Sequence, residues 1–200
     1  MYKARKPLFY YHLLHTNAKI VVYMDRAAII SKQIAAFLKP GQKVLDVGAG
    51  NGFVAKVLQE SASIQITLID RVDYNKTNLP HLVYDGQHLP FADESFDYSL
   101  LIFVLHHTAD PLPLLRESLR VARRGVIVVE NHVQGFLRQG ITRIIDSIPH
   151  FRYNVPVCYR AQKINDWLEY FSQLDVSSEL LARFKYGFFW DNFVVLLSKT

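Results

Sequence analysis

The chain has one cysteine in 200 residues, Cys158. That excludes an intramolecular disulfide framework, fits a reducing compartment, and makes a structural thiol the ordinary reading. No apolar run approaches membrane-spanning length; the longest, 98–105, is broken by Ser99. With a single cysteine and no tight His/Asp spacing, zinc is disfavoured and no metal is expected. Repeats and low-complexity tracts are missing, so neither a solenoid nor a long linker is indicated. Acids are missing from the first 24 residues, which carry Lys3, Arg5, Lys6 and Lys19 before Asp25. No clean small-residue cleavage site follows, so this stretch does not read as a signal peptide. The rest is ordinary for one folded domain: half the residues are hydrophobic, a fifth are charged, and the net charge is +5.

The pattern alternates short β-branched runs with amphipathic stretches. Ala28, Ile29, Ile34, Phe37 and Leu38 recur at helical spacing over 25–38, closed by Pro40-Gly41. Residues 43–47 read as a first buried strand, with a helix over 52–60 behind it. Further strands read at 64–69, 81–84, 96–104 and 125–130. A helix over 111–121 follows Asp110 as cap, with Pro111 at its first position. Residues 132–148 and 161–171 also read as helices. Two extended runs, 174–181 and 193–198, flank a turn-rich segment over 185–191 and predict an antiparallel hairpin. Strands alternating with helices imply right-handed crossovers. The predicted fold class is therefore α/β: a doubly wound, mostly parallel seven-stranded sheet with helices on both faces and a C-terminal antiparallel hairpin.

The strongest local signal is V-L-D-V-G-A-G-N-G over 44–52. A strand runs into three alternating glycines and then a helix. Gly48 and Gly50 let the backbone turn sharply and approach a ligand that a Cβ would push away. Gly52 lets the helix start tight against the sheet. The spacing differs from a dinucleotide fingerprint, whose last glycine would fall at Phe53, and the Gly-Lys-Ser/Thr of a P-loop is absent. Asp46 separates the choices further. A carboxylate just ahead of the glycines would repel a pyrophosphate but suits a ligand bearing ammonium and sulfonium charges, as S-adenosylmethionine does. Asp70 ends the second strand, where an acid can accept hydrogen bonds from the ribose hydroxyls of an adenosine. Pairing with Arg71 is the bland alternative, and Asp73 is a weaker competitor.

These stretches, followed by Y-D-G-Q-H-L-P-F-A-D-E-S-F-D-Y over 84–98 and L-H-H-T-A-D-P over 105–111, resemble the class I S-adenosylmethionine-dependent methyltransferases. The likeness is to the small-molecule group related to quinone and sterol methylation enzymes, and it covers about residues 40–130. The resemblance implies that Asp85 bonds the adenine amino group, that the Gly86 backbone meets the ring, and that His88 lies beside it. Gly86 departs from the more usual alanine. Ala49, Arg71 and Gln87 complete the implied cofactor set. It also implies a single methyltransferase domain: a helical cap over 1–40, a cofactor-binding half over 41–130 and an acceptor-side half over 131–200.

Methyl acceptors in this family lie beyond the fourth strand, which puts His106 and His107 forward as candidate bases, each with a structural role as its alternative. In-line displacement at a sulfonium methyl leans on positioning; a base is needed if the acceptor must lose a proton. Exocyclic-amine methylation is disfavoured, because Asn/Asp-Pro-Pro-Tyr/Phe is absent after that strand. A magnesium catecholate site lacks its acid there, and Cys158 is misplaced for a covalent pyrimidine mechanism. Glu130, Asn131 and His132 end the fifth strand and can line the pocket. Half of the aromatic residues fall within 131–200, which fits core packing or a planar, lipidic acceptor. The expected function is methyl transfer to a small apolar or aromatic molecule in the cytoplasm. An RNA methyltransferase and a catalytically inactive cofactor-binding subunit are the rivals. Basic and large apolar residues mix over 1–24, so weak contact with an anionic membrane is expected, ahead of nucleic acid.

Overall fold

The computed structural model describes residues 18–133, 163–186 and 190–199, with 18–24 and Trp190 described by their backbone. Helix α1 (Ala18–Ala35) leads into strand β1 (Lys43–Val47), helix α2 (Phe53–Ala62), β2 (Gln65–Asp70), β3 (His81–Val83) and β4 (Phe96–Ile102). A 3₁₀ turn (Leu105–His107), α3 (Leu112–Val121), β5 (Ala122–His132), α4 (Ile164–Phe171), β6 (Val176–Tyr186) and β7 (Trp190–Lys199) complete it.

The seven strands form one sheet in the order β3-β2-β1-β4-β5-β7-β6. Pairs from β3 through β5 are parallel, while β7 runs antiparallel to both β5 and β6. Parallel strands are buried on both faces, so alternate residues go to opposite cores. Leu45, Val47, Ile69, Leu101, Val126 and Val128 face one cluster, completed by Leu115 and Leu119 of α3 and Trp167 and Phe171 of α4. Val44, Leu68, Leu100, Ile127 and Val129 face the other, with Ile30 and Ile34 of α1 and Ala55 and Leu58 of α2. The strand order reverses between β1 and β4, and in such sheets ligands bind at that point beyond the strand ends.

The predicted fold class stands, with shifted boundaries. Helix α1 begins at Ala18 rather than at 25; Ala, Lys and Met formers carry it through the two β-branched valines. Strand β5 begins at Ala122, directly after α3, because Arg123 and Arg124 are accommodated as exposed strand residues. The hairpin takes in Lys185, Tyr186, Trp190 and Asp191, which read as turn in the sequence; Lys185 and Asp191 pair across the strands 3.7 Å apart. Helix α3 starts at Leu112, so Pro111 takes the N-cap position in place of Asp110, which stands one residue further out and accepts the Leu112 amide on Oδ1 at 3.0 Å. The helix expected over 132–148 lies outside the described residues, apart from His132, a strand residue, and Val133. Cys158 and residues 1–17 also lie outside them.

At the amino ends of the strands a charge network ties loops to the sheet. Arg120 on α3 donates to Glu117, to Asp93, and to the carbonyls of Leu89 and Phe91. Asp97 accepts the Lys43 amide at 2.9 Å and lies 3.6 and 3.4 Å from Arg123 and Arg124. The turn motif ahead of β4 therefore acts as a clasp at the end of the sheet remote from the glycine loop.

Candidate functional site

Strand β1 delivers the chain to the glycine loop at the switch point. Gly48 adopts φ 73° and donates its amide to the Ile69 carbonyl at 2.8 Å. A Cβ there would stand 2.6 Å from Cγ2 of Val104, so the segment after β4 packs directly against this loop. Gly50, at φ 57°, has open space around the place a Cβ would occupy, so its backbone is open to approach. At Gly52 a Cβ would press on Leu68 and Asn75, which accounts for a helix starting hard against β2. Ala49 sits between the turns, half-buried.

Two carboxylates support the loop in different ways. Asp70, at the end of β2, accepts the Gly50 amide on Oδ2 at 2.8 Å and the Arg71 and Val72 amides on Oδ1 at 2.7 and 3.4 Å. Its partner at Arg71 is thus the backbone; among the described residues no ion pair joins the Arg71 guanidinium to it. Asp46 is 2% exposed inside β1, and its buried Oδ1 has no hydrogen-bond partner. Burial, reinforced by the negative charge of Asp70, pushes the Asp46 carboxyl up to about 7. A buried polar oxygen without a partner costs free energy, and a cation placed near it relieves that cost.

The remaining implied cofactor residues cluster past β3. Asp85 is exposed, and Oδ1 accepts the Gln87 and His88 amides at 2.7 and 3.0 Å. Those two amides hold its carboxyl below the usual carboxylate range. Gln87 and the His88 side chain face solvent. The Arg71 side chain lies across Gly86, where a Cβ would come within 2.5 Å of Arg71 Cδ. Arg71 and Gly86 are thereby in contact, although they lie on different connections.

Beyond β4 the backbone tightens. Phe103 takes φ 57° and donates its amide to Val129, with Arg26 of α1 4.7 Å above its ring. A bulky residue with positive φ is uncommon and costs on the order of 1–3 kcal/mol. His106 and His107 follow on the 3₁₀ turn, with ring centroids 4.1 Å apart. Burial, reinforced by charge on His106, pushes the His107 imidazole down to about 3. His106 Nδ1 lies 2.7 Å from Oε2 of Glu130, a residue only 1% exposed. Of the three residues ending β5, Glu130 is the one joined to this turn. His132 instead accepts the Ile164 amide at 3.0 Å and supports α4, while Asn131 pairs with Asn192 across to β7. The Glu130–His106 link was not legible in the sequence. Its only trace is a lone acid closing the apolar run Val126–Val129.

A doubly wound 3-2-1-4-5-7-6 sheet, a glycine loop at its switch point and an acid ending β2 together define the class I S-adenosylmethionine-dependent methyltransferase fold. Residues 45–129 match the family described as "Methyltransferase domain". The chain is 35% identical over 91 residues to a demethylmenaquinone methyltransferase of Corynebacterium kroppenstedtii, covering 44% of this chain and 40% of that protein. The match thus spans well under two thirds of that relative. Among solved structures the chain is similar to the YcgJ protein of Bacillus subtilis, with TM-score 0.66 at 15% identity over 88% of this chain and 98% of that one. It is also similar to a SAM-dependent methyltransferase of Aquifex aeolicus, with TM-score 0.62 at 16% identity over 90% and 94%. The family implies S-adenosylmethionine as cofactor. The unpartnered Asp46 oxygen and the open face at Gly50 fit its cationic amino acid portion.

Proposed function

We propose that this protein transfers a methyl group from S-adenosylmethionine to a small apolar or aromatic acceptor in the cytoplasm. The observation carrying the cofactor half is the buried, unpartnered Asp46 oxygen beside a loop with open space at Gly50. In this reading Asp46 and the backbone of Gly48, Ala49, Gly50 and Gly52 hold the charged amino acid portion. Asp70 takes the ribose hydroxyls, and Arg71, Asp85, Gly86, Gln87 and His88 surround the adenine. Bound there, the cofactor supplies a methyl group already activated by sulfonium, so the chain's own task is alignment and exclusion of water. Residues 41–130 form the cofactor half, with 1–40 as a cap and 131–200 on the acceptor side.

The acceptor class rests on likeness to a protein named for methylating demethylmenaquinone. The aromatic richness of 131–200 lends it less weight, because Trp167, Phe171 and Phe193 are each 1% exposed and pack the core. Calorimetry against S-adenosylhomocysteine, NAD and ATP tests the cofactor, and label transfer from methyl-labelled cofactor to phenols and reduced quinones tests the acceptor. Binding of the nucleoside product with no comparable binding of NAD is expected. Equal or tighter NAD binding overturns the proposal.

A further inference from the structure

The two residues that follow β4 go to opposite faces of the sheet. Phe103 is half-buried against the cluster built with α1 and α2, while Val104 packs against the one built with α3 and α4. The positive φ of Phe103 is costly for a bulky side chain and persists only where the surroundings over-determine it. Two contacts do so. The Phe103 amide donates to the Val129 carbonyl at 2.9 Å, which fixes the backbone to β5. The Arg26 guanidinium lies 4.7 Å from the ring centre, which fixes the side chain to α1. Helix α1 is a firm support: Ile30 and Ile34 are 1% and 0% exposed, and Ser31 Oγ donates to the Val54 carbonyl of α2 at 3.1 Å. Glycine or asparagine would hold the Phe103 backbone with less strain, so the backbone does not require a ring; the contact with Arg26 does. Val104 then stands directly on the cofactor loop, where a Cβ on Gly48 would meet its Cγ2 at 2.6 Å. A contiguous path of touching groups therefore runs from α1 through Arg26, Phe103 and Val104 to Gly48.

Resting on the cofactor reading above, we infer that Phe103, held by Arg26, is a positioning residue through which α1 fixes the glycine loop for cofactor binding. Neither side chain is assigned a contact with the cofactor. A planar guanidinium over an aromatic face is held by the attraction of a cation to the ring's negative face. Without that contact the strained backbone at Phe103 is free to relax, and relaxation moves Val104. The Val104 side chain occupies the space left by the missing Cβ of Gly48, so its movement removes the wall that holds the turn at Gly48. The backbone of 48–50 then loses its alignment toward the ligand's amino acid portion. The role requires an aromatic face at 103 and a cation at 26; a leucine fills comparable space but presents no such face. The helix and the loop are thereby coupled, and the cost of breaking the contact is read as lost affinity.

The test is a double-mutant cycle on the full chain, read by calorimetric titration with S-adenosylhomocysteine and accompanied by thermal melts of every variant. Phe103→Leu keeps an apolar side chain but removes the ring, and Arg26→Met keeps the length but removes the charge. Each should weaken binding by about three- to tenfold. The double variant should bind no more than about twofold more weakly than the weaker single one, because both changes break one contact. Phe103→Tyr keeps the ring and should hold affinity within about twofold of wild type. A merely structural contact gives a different pattern, lower melting temperatures at wild-type affinity in both single variants, and that overturns the inference. Losses that multiply in the double variant overturn it as well, since Arg26 then acts through its other contacts. So does an equal loss in Phe103→Tyr and Phe103→Leu. Should Phe103→Leu fail to fold, Arg26→Met is set against Arg26→Lys, which keeps a cation: loss in the first with near wild-type affinity in the second supports the inference, and any other result overturns it. Wild-type protein that binds no S-adenosylhomocysteine sinks the cofactor reading itself, whereas wild-type binding with unchanged affinity in the variants sinks this inference alone.

Discussion

The two ends of the sheet handle charge in opposite ways. At the amino ends, Arg120 meets two carboxylates and two carbonyls, and Asp97 meets two arginines and a backbone amide. Every charge in that clasp is answered by the protein itself, and its purpose is complete on folding. At the carboxyl ends, Asp46 is buried with an unanswered oxygen, Phe103 is held at positive φ, and Gly50 opens onto empty space. The buried oxygen of Asp46 and the positive φ of Phe103 cost stability, and both lie where doubly wound sheets bind ligands, although Glu94 in the amino-end turn also takes φ 56°. The clasp leaves none of its charges unanswered, whereas Asp46 keeps an unpartnered buried oxygen beside the glycine loop, as the neutral side chains of Ser118 and Trp167 keep an unpartnered polar atom elsewhere in the fold.

That contrast can be broken by substitution at either end. The largest expected effect is Asp70→Ala, which removes the proposed ribose acceptor together with the anchor of Gly50. Affinity for S-adenosylhomocysteine should fall by about ten- to a hundredfold, read by calorimetry; an unchanged dissociation constant would move the ribose contact elsewhere. Arg120→Ala is the counterpart. It should lower unfolding free energy by about 2 kcal/mol in denaturant melts while leaving the cofactor dissociation constant within about twofold. A large loss of cofactor affinity there would show that the clasp and the site are not separate.

A pH series sharpens the comparison. Folded Asp46 keeps its proton up to about 7, against an ordinary value of 3.8. Between those values the folded chain holds more protons than the unfolded one, so this residue's contribution to stability falls as pH rises and levels off above 7. His107 has the opposite sign. Its folded value near 3 lies below the ordinary 6.5, so its contribution is present above 6.5 and is lost as acid takes the pH down toward 3. Asp46→Asn should remove the first slope and keep the second, as measured by melts across pH. Because a sulfonium and ammonium ligand favours ionised Asp46, affinity should decline by up to about tenfold per pH unit below 7. The smallest expected effect is at the N-terminus. The intact chain should co-sediment weakly with anionic vesicles at low salt and release at high salt. Removing residues 1–7 should abolish this; retained vesicle binding with weakened cofactor binding would make the segment a lid instead.

The parallel half of the fold was legible because its strands are short apolar runs bounded by glycine, proline or acid, and the glycine loop fixed the register of β1 to the site. Strand β5 was read too short because Arg123-Arg124 looks like a loop, whereas exposed strand positions at the sheet's amino end pair with Asp97. Asp46 and Asp70 were legible as acids flanking the glycine loop, but the different surroundings the fold gives them were not. Asp70 braces Gly50 and Asp46 is buried, a difference that depends on packing against β2 and β4. The contact between His106 and Glu130 was also invisible, since Glu130 is distant in sequence and reaches the turn only across the β4–β5 pairing.

The most direct measurement is calorimetric titration of wild type and Asp46→Asn with S-adenosylhomocysteine at a pH above 7, alongside thermal melts of both ligand-free proteins. Asp46→Asn should melt higher, because an amide replaces a buried carboxylate that the fold disfavours. It should also bind the ligand at least about tenfold more weakly. A variant that binds as tightly as wild type, or one that loses stability without losing affinity, would contradict the claim that this unanswered carboxylate exists for the cofactor.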